Sequence, residues 1–137
     1  MNKFPVTVFH NPACGTSRNV VAAVKEAGYE PTVVEYLKAG WTKAQLKDLL
    51  KTMGARPRDI LRDKGTPAAE LGLTEASVSD DKILDAMVAN PILVNRPIVV
   101  TPKGAALCRP SEDVFTLLEN APETFTKEDG ETVTPRR

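Results

Sequence analysis

Two short runs of β-branched apolar residues lie near the N-terminus, "VTVF" at positions 6–9 and "TVVEY" at positions 32–36. Each run follows a proline and predicts a strand, because Val and Thr are favoured in strands. Between the runs, Val20, Val21, Val24 and Ala27 repeat with helical spacing, and Gly28 then marks the end of the helix. A strand, a helix and a second strand in this order predict a parallel crossover unit, which confines the chain to α/β folds.

The next part of the chain carries signals for helices. Several residues favour the start of a helix, either as a cap or in the first turn: the Thr42–Gln45 capping box, Pro57, Pro67 and Ser79. The stop signals are Gly54 and the Asn90-Pro91 pair. We therefore expect a helical insert over about residues 55–90, preceded by one further helix.

Extended segments return after Pro91, as "ILV", "IVVT" and "AALCR". They predict two or three short strands, with a tight turn at positions 101–104 where "TPKG" supplies proline and glycine. Ser111 is expected to cap a final helix that turns Val114, Leu117 and Leu118 inward. From about residue 122 the chain is polar and charged, which predicts a loosely held tail anchored mainly by Phe125.

The predicted order is β-α-β, a helical insert and then β-β-α. Two such halves sharing one mixed sheet form the thioredoxin-like layout, with the helical block as an insertion between them. At 137 residues the chain has the size of one domain, so we interpret residues 1–137 as a single domain.

Composition excludes several classes of protein. The 18 basic and 18 acidic residues cancel, so no overall charge attracts nucleic acid or an anionic membrane, and no apolar run is long enough to span a bilayer. Two cysteines and one histidine match no zinc spacing and are too few for a disulfide framework. We therefore expect a protein of the reducing cytoplasm, without a metal, a nucleic-acid partner or a membrane anchor.

The stretch "HNPACGTSRN" at positions 10–19 connects the first predicted strand to the first helix. Cys14 would then lie at a helix N-terminus, where free N–H groups and the helix dipole favour the thiolate. Gly15 allows a ligand to approach closely, and the hydroxyls of Thr16 and Ser17 offer hydrogen bonds to an anion. Ser17 takes the second position of a C-x-x-C motif, so Cys14 must react with a substrate or with a thiol of another molecule.

A structural alternative stands beside each functional interpretation. Cys108 lies at a strand position in "AALCR", and alternation along a strand turns it away from any site that Arg109 faces, so we interpret it as a small core residue. His10 is either a loop histidine bonded to a neighbouring backbone group or an electrostatic aid that keeps Cys14 ionised. The pattern alone leaves both possibilities open for His10.

Four segments together resemble one known family: "HNPACGTSRN", "ILRDKG", "NPILVNRPIVVTPKGAALCRPSE" and "FTKEDGE". The chain is similar to the glutaredoxin-coupled arsenate reductases from position 6 to about 133. The resemblance implies the thioredoxin-like fold with a helical insert, in agreement with the element order above.

The resemblance also implies roles for individual residues. Cys14 matches the nucleophile that takes up arsenate, and Arg62, Arg96 and Arg109 match three arginines that surround the oxyanion. His10 matches the upstream histidine that helps to lower the cysteine pKa. Arginine suits this task because its charged fork grips two oxygens of a tetrahedral anion. Arg96 precedes a proline where thioredoxin-like folds have a cis-proline loop, so we expect a cis bond there.

The implied reaction begins with attack of the Cys14 thiolate on arsenate to give a thiol-arsenate adduct. Glutathione then acts as co-substrate and glutaredoxin as the partner protein, and no tightly bound cofactor is required. Two alternatives are a thioredoxin-like regulatory or adaptor protein and a glutathione-dependent thiol oxidoreductase. An adaptor of this kind would be expected to keep a C-x-x-C switch or to lack the arginines, and this chain shows the reverse pattern.

Overall fold

The structure, a computed structural model, describes residues 4–135. The chain divides into two compact units, one formed by Met1–Glu35 with Arg96–Arg137 and the other by Tyr36–Asn95. The second unit includes the range of about 55–90 over which the sequence predicts a helical insert. The interpretation of residues 1–137 as one domain stays a prediction.

The first unit is built on a four-stranded mixed sheet. Its strands are β1 (Thr7–His10), β2 (Thr32–Glu35), β3 (Ile98–Thr101) and β4 (Gly104–Leu107), in the order β2-β1-β3-β4. β1 pairs parallel with β2 and antiparallel with β3, and β3 pairs antiparallel with β4. The predicted mixed sheet and the tight turn between β3 and β4 are confirmed.

Helix α1 (Gly15–Glu26) makes the crossover between β1 and β2. Its apolar face is fully buried at Val20, Ala23 and Val24, in one core with residues of β1 and β3. The helix ends before Gly28, whose φ of +99° is a conformation that glycine adopts without strain. The first helix of the sequence prediction is therefore confirmed, and it starts directly after Cys14.

The last predicted helix differs in type and in its start. Residues Ser111–Leu117 form a 3₁₀ helix, and Pro110 takes the N-cap position that Ser111 was expected to occupy. Ser111 is the first helical residue and makes no side-chain cap, so that expectation was wrong. The inward face is as predicted, because Val114, Leu117 and Leu118 are all buried.

The segment expected as a loosely held tail contains a two-stranded hairpin, β5 (Phe125–Thr126) and β6 (Thr132–Val133). Phe125 is its buried anchor, as predicted, with its ring centroid 5.8 Å from that of Phe115. Lys127 adds a largely buried ion pair, with Nζ 2.9 Å from Glu112 Oε1. These partners are distant in sequence, which is why local composition does not reveal the hairpin.

The second unit contains α2 (Tyr36–Ala39), α3 (Lys43–Met53) and α4 (Asp80–Ala89), with 3₁₀ helices at Pro57–Ile60 and Pro91–Leu93. The capping box of α3 is confirmed, with Gln45 N donating to Thr42 Oγ1 at 3.1 Å. Ser79 caps α4 by accepting from Lys82 N at 3.2 Å. Within residues 4–135, every helix is too short or too polar to cross a membrane.

Two expectations for this unit were wrong. Pro67 begins a series of turns instead of a short helix, with Leu71 N donating to Pro67 O. The "ILV" segment is not a sheet strand: it lies largely in the 3₁₀ helix Pro91–Leu93, and Val94 forms one isolated bridge with Leu61. A run of three apolar residues does not distinguish a strand from a helical turn by its periodicity, and Pro91 suits a first turn.

Candidate active site

Cys14 is the N-cap residue of α1, with φ −97° and ψ 121°. Its N–H donates to Asn11 O and its carbonyl accepts from Arg18 N, both at 3.0 Å. The residue is 8% exposed, so the thiol lies just below the surface at the start of the helix. Cys14 therefore occupies the position where unpaired helix N–H groups and the helix dipole act on an anion.

Asn11 shapes the loop that leads to Cys14, a role that the sequence analysis missed. Its side-chain Oδ1 accepts from Ala13 N at 2.9 Å, and its own N–H donates to Ser17 Oγ at 3.1 Å. Asparagine before proline at a strand end is a known turn signal, so the sequence contains a hint of this role. The loop thus has internal hydrogen bonds that hold Cys14 against the helix.

The pKa of Cys14 is lowered from an ordinary value of 9.0 to about 7. Partial burial acts in the opposite direction and would raise the pKa, because it disfavours the charged thiolate. Hydrogen bonds from the Ser17 backbone N–H and from the side chains of Arg96 and Arg109 outweigh that effect. The pKa is therefore shifted in the direction that the sequence analysis predicts, towards the thiolate.

Arg96 and Arg109 flank the β3–β4 hairpin, one before β3 and one after β4. The strands pair from Ile98↔Leu107, so the two arginines leave the sheet at the same end. Arg109 Nη1 lies 3.6 Å from Cys14 Sγ and also donates to Arg96 O at 2.8 Å. The Arg96-Pro97 bond is cis, as predicted, and Arg109-Pro110 is cis as well. The structure therefore brings two of the three predicted arginines to Cys14.

Arg62, the third predicted arginine, belongs to the second unit. It follows the 3₁₀ helix Pro57–Ile60, and its backbone N–H donates to Leu93 O at 2.7 Å. Its side chain donates to Lys64 O at 3.2 Å and to Asn95 Oδ1 at 3.5 Å. These contacts all lie within its own unit, and its assignment to the oxyanion stays a prediction.

His10 at the end of β1 is buried and bonds to Ser17: Nδ1 lies 2.6 Å from Ser17 Oγ. Burial lowers the pKa of His10 below its ordinary 6.5, Glu35 raises it, and Arg18 lowers it. The lowered pKa favours the neutral ring over the imidazolium. The geometry favours a role for His10 in holding Ser17, whose N–H bonds to Cys14, over a role as a nearby cation.

The remaining residues of the loop have more specific environments than the sequence suggests. Ser17 is fully buried and its hydroxyl is used by His10 and Asn11, so its contribution to Cys14 is its backbone N–H. Gly15 is half-buried, and a Cβ there would lie 3.2 Å from Glu128 Oε1. Thr16 is also half-buried, so both stay candidates for contact with an oxyanion.

Cys108 has the opposite environment to Cys14. It is fully buried in the core of the first unit, and this burial raises its pKa to about 12. The expectation that Cys108 is a core residue is confirmed. Both cysteines are free thiols, and in the part of the chain that the structure describes, no three His, Cys, Asp or Glu side chains group to hold a metal ion.

The fold and the site together define a thioredoxin-like protein with one activated cysteine. The loop of that cysteine contains no resolving cysteine, and arginine side chains lie beside its thiol. Residues 9–117 match the model of the ArsC family, and the chain belongs to that family. It is 54% identical to a protein named arsenate reductase ArsI1 from Synechocystis sp., over all of this chain and 96% of that protein. It is 49% identical to an arsenate reductase of Escherichia coli, over 93% of this chain and 92% of the relative.

Solved structures show the same relation. A structure described as an arsenate reductase from Vibrio cholerae superposes with a TM-score of 0.80 at 36% identity. The match covers 85% of this chain and all of the other. The thioredoxin-like fold class is therefore confirmed by comparison as well as by strand order.

Proposed function

We propose that this chain is an arsenate reductase in which the Cys14 thiolate is the nucleophile. The observation that carries the proposal is the position of Cys14, whose pKa is about 7 and whose Sγ lies 3.6 Å from the Arg109 guanidinium. A thiolate beside a fixed cation is suited to attack the central atom of an oxyanion. The arsenate reductases among its relatives support arsenate as that substrate.

The first step forms a bond between Cys14 Sγ and arsenic, and one protonated arsenate oxygen leaves as water. Arg96 and Arg109 are assigned to the remaining oxygens, where a charged fork neutralises the anion and holds it for attack. The resemblance assigns Arg62 to the same task. Gly15, Thr16 and Ser17 supply the helix N-terminus at which the oxyanion binds.

The later steps require thiols from outside the chain, because Ser17 stands where a resolving cysteine would be. The glutathione sulfur bonds to arsenic in the adduct, and a second arsenate oxygen leaves as water. A glutaredoxin thiolate then attacks that glutathione sulfur, and the glutathione–arsenic bond breaks. Its electron pair stays on arsenic, which is reduced from As(V) to As(III) while still bound to Cys14, and the glutathione and glutaredoxin sulfurs leave as a mixed disulfide. Arsenite is released by hydrolysis, which returns Cys14 as a thiolate. A pool of reduced thiols is a property of the cytoplasm, where we place the protein.

The test is oxidation of NADPH coupled through glutathione reductase and glutaredoxin. The proposal predicts oxidation that depends on arsenate, on glutathione and on glutaredoxin, each omitted in turn. A thiol oxidoreductase would instead act on a mixed-disulfide substrate without arsenate, and an adaptor protein would do neither. Oxidation that continued unchanged without arsenate would refute the proposed function.

A further inference from the structure

The "FTKEDGE" segment belongs to the motifs of the sequence, yet the mechanism above uses none of it. In the structure it forms β5 and the hairpin tip, defined here as residues 127–131. The tip is closed by hydrogen bonds from Lys127 N to Glu131 O at 2.7 Å and from Gly130 N to Lys127 O at 2.9 Å. Gly130 has a φ of +94°, which explains a glycine at this turn. The segment is therefore an ordered turn whose side chains have defined positions.

The hairpin is held in place by Phe125 of β5 and by Lys127, the first residue of the tip. Phe125 is 2% exposed and packs edge-on against Phe115. The Lys127–Glu112 ion pair lies beside it, with the two side chains only 12% and 18% exposed. Because these contacts hold the hairpin in place, they also fix the position of Glu128, the second residue of the tip.

Glu128 contacts the first turn of α1 through three hydrogen bonds. Its backbone N–H donates to Asn19 Oδ1 at 2.9 Å. Its carboxylate accepts from Arg18 Nε at 3.1 Å and from Arg18 Nη2 at 2.6 Å, a two-point grip that fixes the plane of the guanidinium. The same carboxylate is the group nearest to a Cβ built on Gly15, so the tip reaches the residue next to Cys14.

The remaining terminal nitrogen of Arg18 donates a hydrogen bond to the Cys14 loop. Nη1 donates to Pro12 O at 2.8 Å, and the backbone N–H of Arg18 donates to Cys14 O at 3.0 Å. One residue thus binds the loop at two points on either side of the reactive thiol. A guanidinium is planar and its N–H directions are fixed, so the grip of Glu128 determines where Nη1 points.

We propose that Glu128 is a positioning residue for Cys14: through Arg18 it holds the Pro12 carbonyl and keeps Cys14 Sγ aligned with the Ser17 N–H. The Arg18 and Glu128 side chains are 45% and 46% exposed, and exposed ion pairs contribute little to stability. The effect of removing Glu128 should therefore appear in the reactivity of Cys14 more than in the stability of the fold.

A direct electrostatic role for Glu128 predicts the opposite sign. The carboxylate is a negative charge near the thiolate, so removing it through space alone would favour the thiolate and lower the midpoint of Cys14 titration. Loss of positioning weakens hydrogen bonds to the thiolate and raises that midpoint. Arg18, Arg96 and Arg109 are charged groups that act on Cys14, and the single Glu128 variants leave all three in place.

The experiment compares Glu128→Ala and Glu128→Gln with Glu123→Gln, a change at an exposed carboxylate just before β5 that serves as the control. Each variant is first shown to be folded at the assay temperature by circular dichroism. Two quantities are then measured: the pH midpoint for alkylation of Cys14 by an uncharged reagent, and kcat/KM for arsenate. The second readout rests on the proposed function, and the first does not.

We expect Glu128→Ala to raise the alkylation midpoint and to lower kcat/KM by about twofold to fivefold. Glu128→Gln should be intermediate, because its amide oxygen retains one acceptor for Arg18. Glu123→Gln should match the parent. In an Arg18→Ala background the Glu128→Ala change should have no further effect, since the residue acts through Arg18.

An unchanged or lowered midpoint in Glu128→Ala would overturn the proposal, as would a full effect of Glu128→Ala in the Arg18→Ala background. A parent that fails to reduce arsenate would refute the proposed function instead. The alkylation midpoints would still decide the role of Glu128 in that case.

Discussion

The two cysteines of this chain are both free thiols, but they lie in different environments. Cys14 lies at a helix start beside arginine side chains, and its pKa is lowered to about 7. Cys108 lies in the apolar core, and burial raises its pKa to about 12. Because only the thiolate is an effective nucleophile, reactivity at neutral pH is confined to Cys14.

Alkylation of the folded protein should therefore occur at Cys14 alone, with a rate that rises with pH and levels off above a midpoint near 7. The sign follows from the lowered pKa, since raising the pH through 7 converts the thiol to thiolate. Mass spectrometry after limited alkylation at a series of pH values measures this. A midpoint near 9, or equal labelling of Cys108, would contradict the electrostatic account of the site.

His10 is predicted to act on Cys14 through Ser17. His10→Ala removes the hydrogen bond to Ser17 Oγ, so the Ser17 N–H is held less well and the alkylation midpoint of Cys14 should rise. His10→Asn, which is uncharged and can keep a hydrogen bond in this position, should change the midpoint less. If both variants raised the midpoint equally, the positive charge of His10 would be its contribution.

The arginines are predicted to contribute to oxyanion binding and to the ionisation of Cys14. Alanine at Arg96 or Arg109 removes a charge-assisted hydrogen bond, which corresponds to about 1.5–3 kcal/mol or roughly a tenfold to hundredfold loss of kcat/KM. Lysine should restore activity partly, because it supplies charge without the planar fork. Arg62→Ala is expected to lose activity to a similar extent. If folded alanine variants at all three positions kept the parent kcat/KM, the proposed oxyanion site would be refuted.

At the level of the elements, the N-terminus of helix α3 is stabilised by the capping box that the sequence predicts. Thr42→Ala removes the side-chain cap and should lower the free energy of unfolding by about 1 kcal/mol. Thr52→Ala is the matched control, because Thr52 lies on the exposed face inside the same helix. Urea denaturation of the two variants measures the difference, and a cost no larger for Thr42 than for Thr52 would contradict the capping role.

The elements that the sequence predicts well are those whose signals are local. The capping box at Thr42, the cap at Ser79 and the turn before Gly104 each depend on residues within four positions, and all are found in the structure. The hairpin Phe125–Val133 and the 3₁₀ form of Ser111–Leu117 depend on distant packing partners. Phe125 meets Phe115 and Lys127 meets Glu112, and no local pattern predicts such pairs.

At the level of the whole molecule, the crossover and the β3–β4 hairpin account for the site in the first unit. The Cys14 loop follows β1, and Arg96 and Arg109 flank the antiparallel pair β3–β4 at one end of the sheet. The sequence predicts this convergence through the family resemblance, which assigns Arg96 and Arg109 to one oxyanion with Cys14. It does not predict the Arg18–Glu128 contact, since the two residues lie 110 positions apart and their contact depends on side-chain geometry between segments.

The central claim is that Cys14, acting without Cys108, reduces arsenate with outside thiols. The most direct measurement is the rate of arsenite formation from arsenate by the parent, Cys14→Ser and Cys108→Ala, each with glutathione and glutaredoxin. We predict that Cys14→Ser forms arsenite only at the rate of the mixture without enzyme, and that Cys108→Ala keeps most of the parent rate. Arsenite formation by Cys14→Ser at the parent rate, or a Cys108→Ala variant as inactive as Cys14→Ser, would contradict this account.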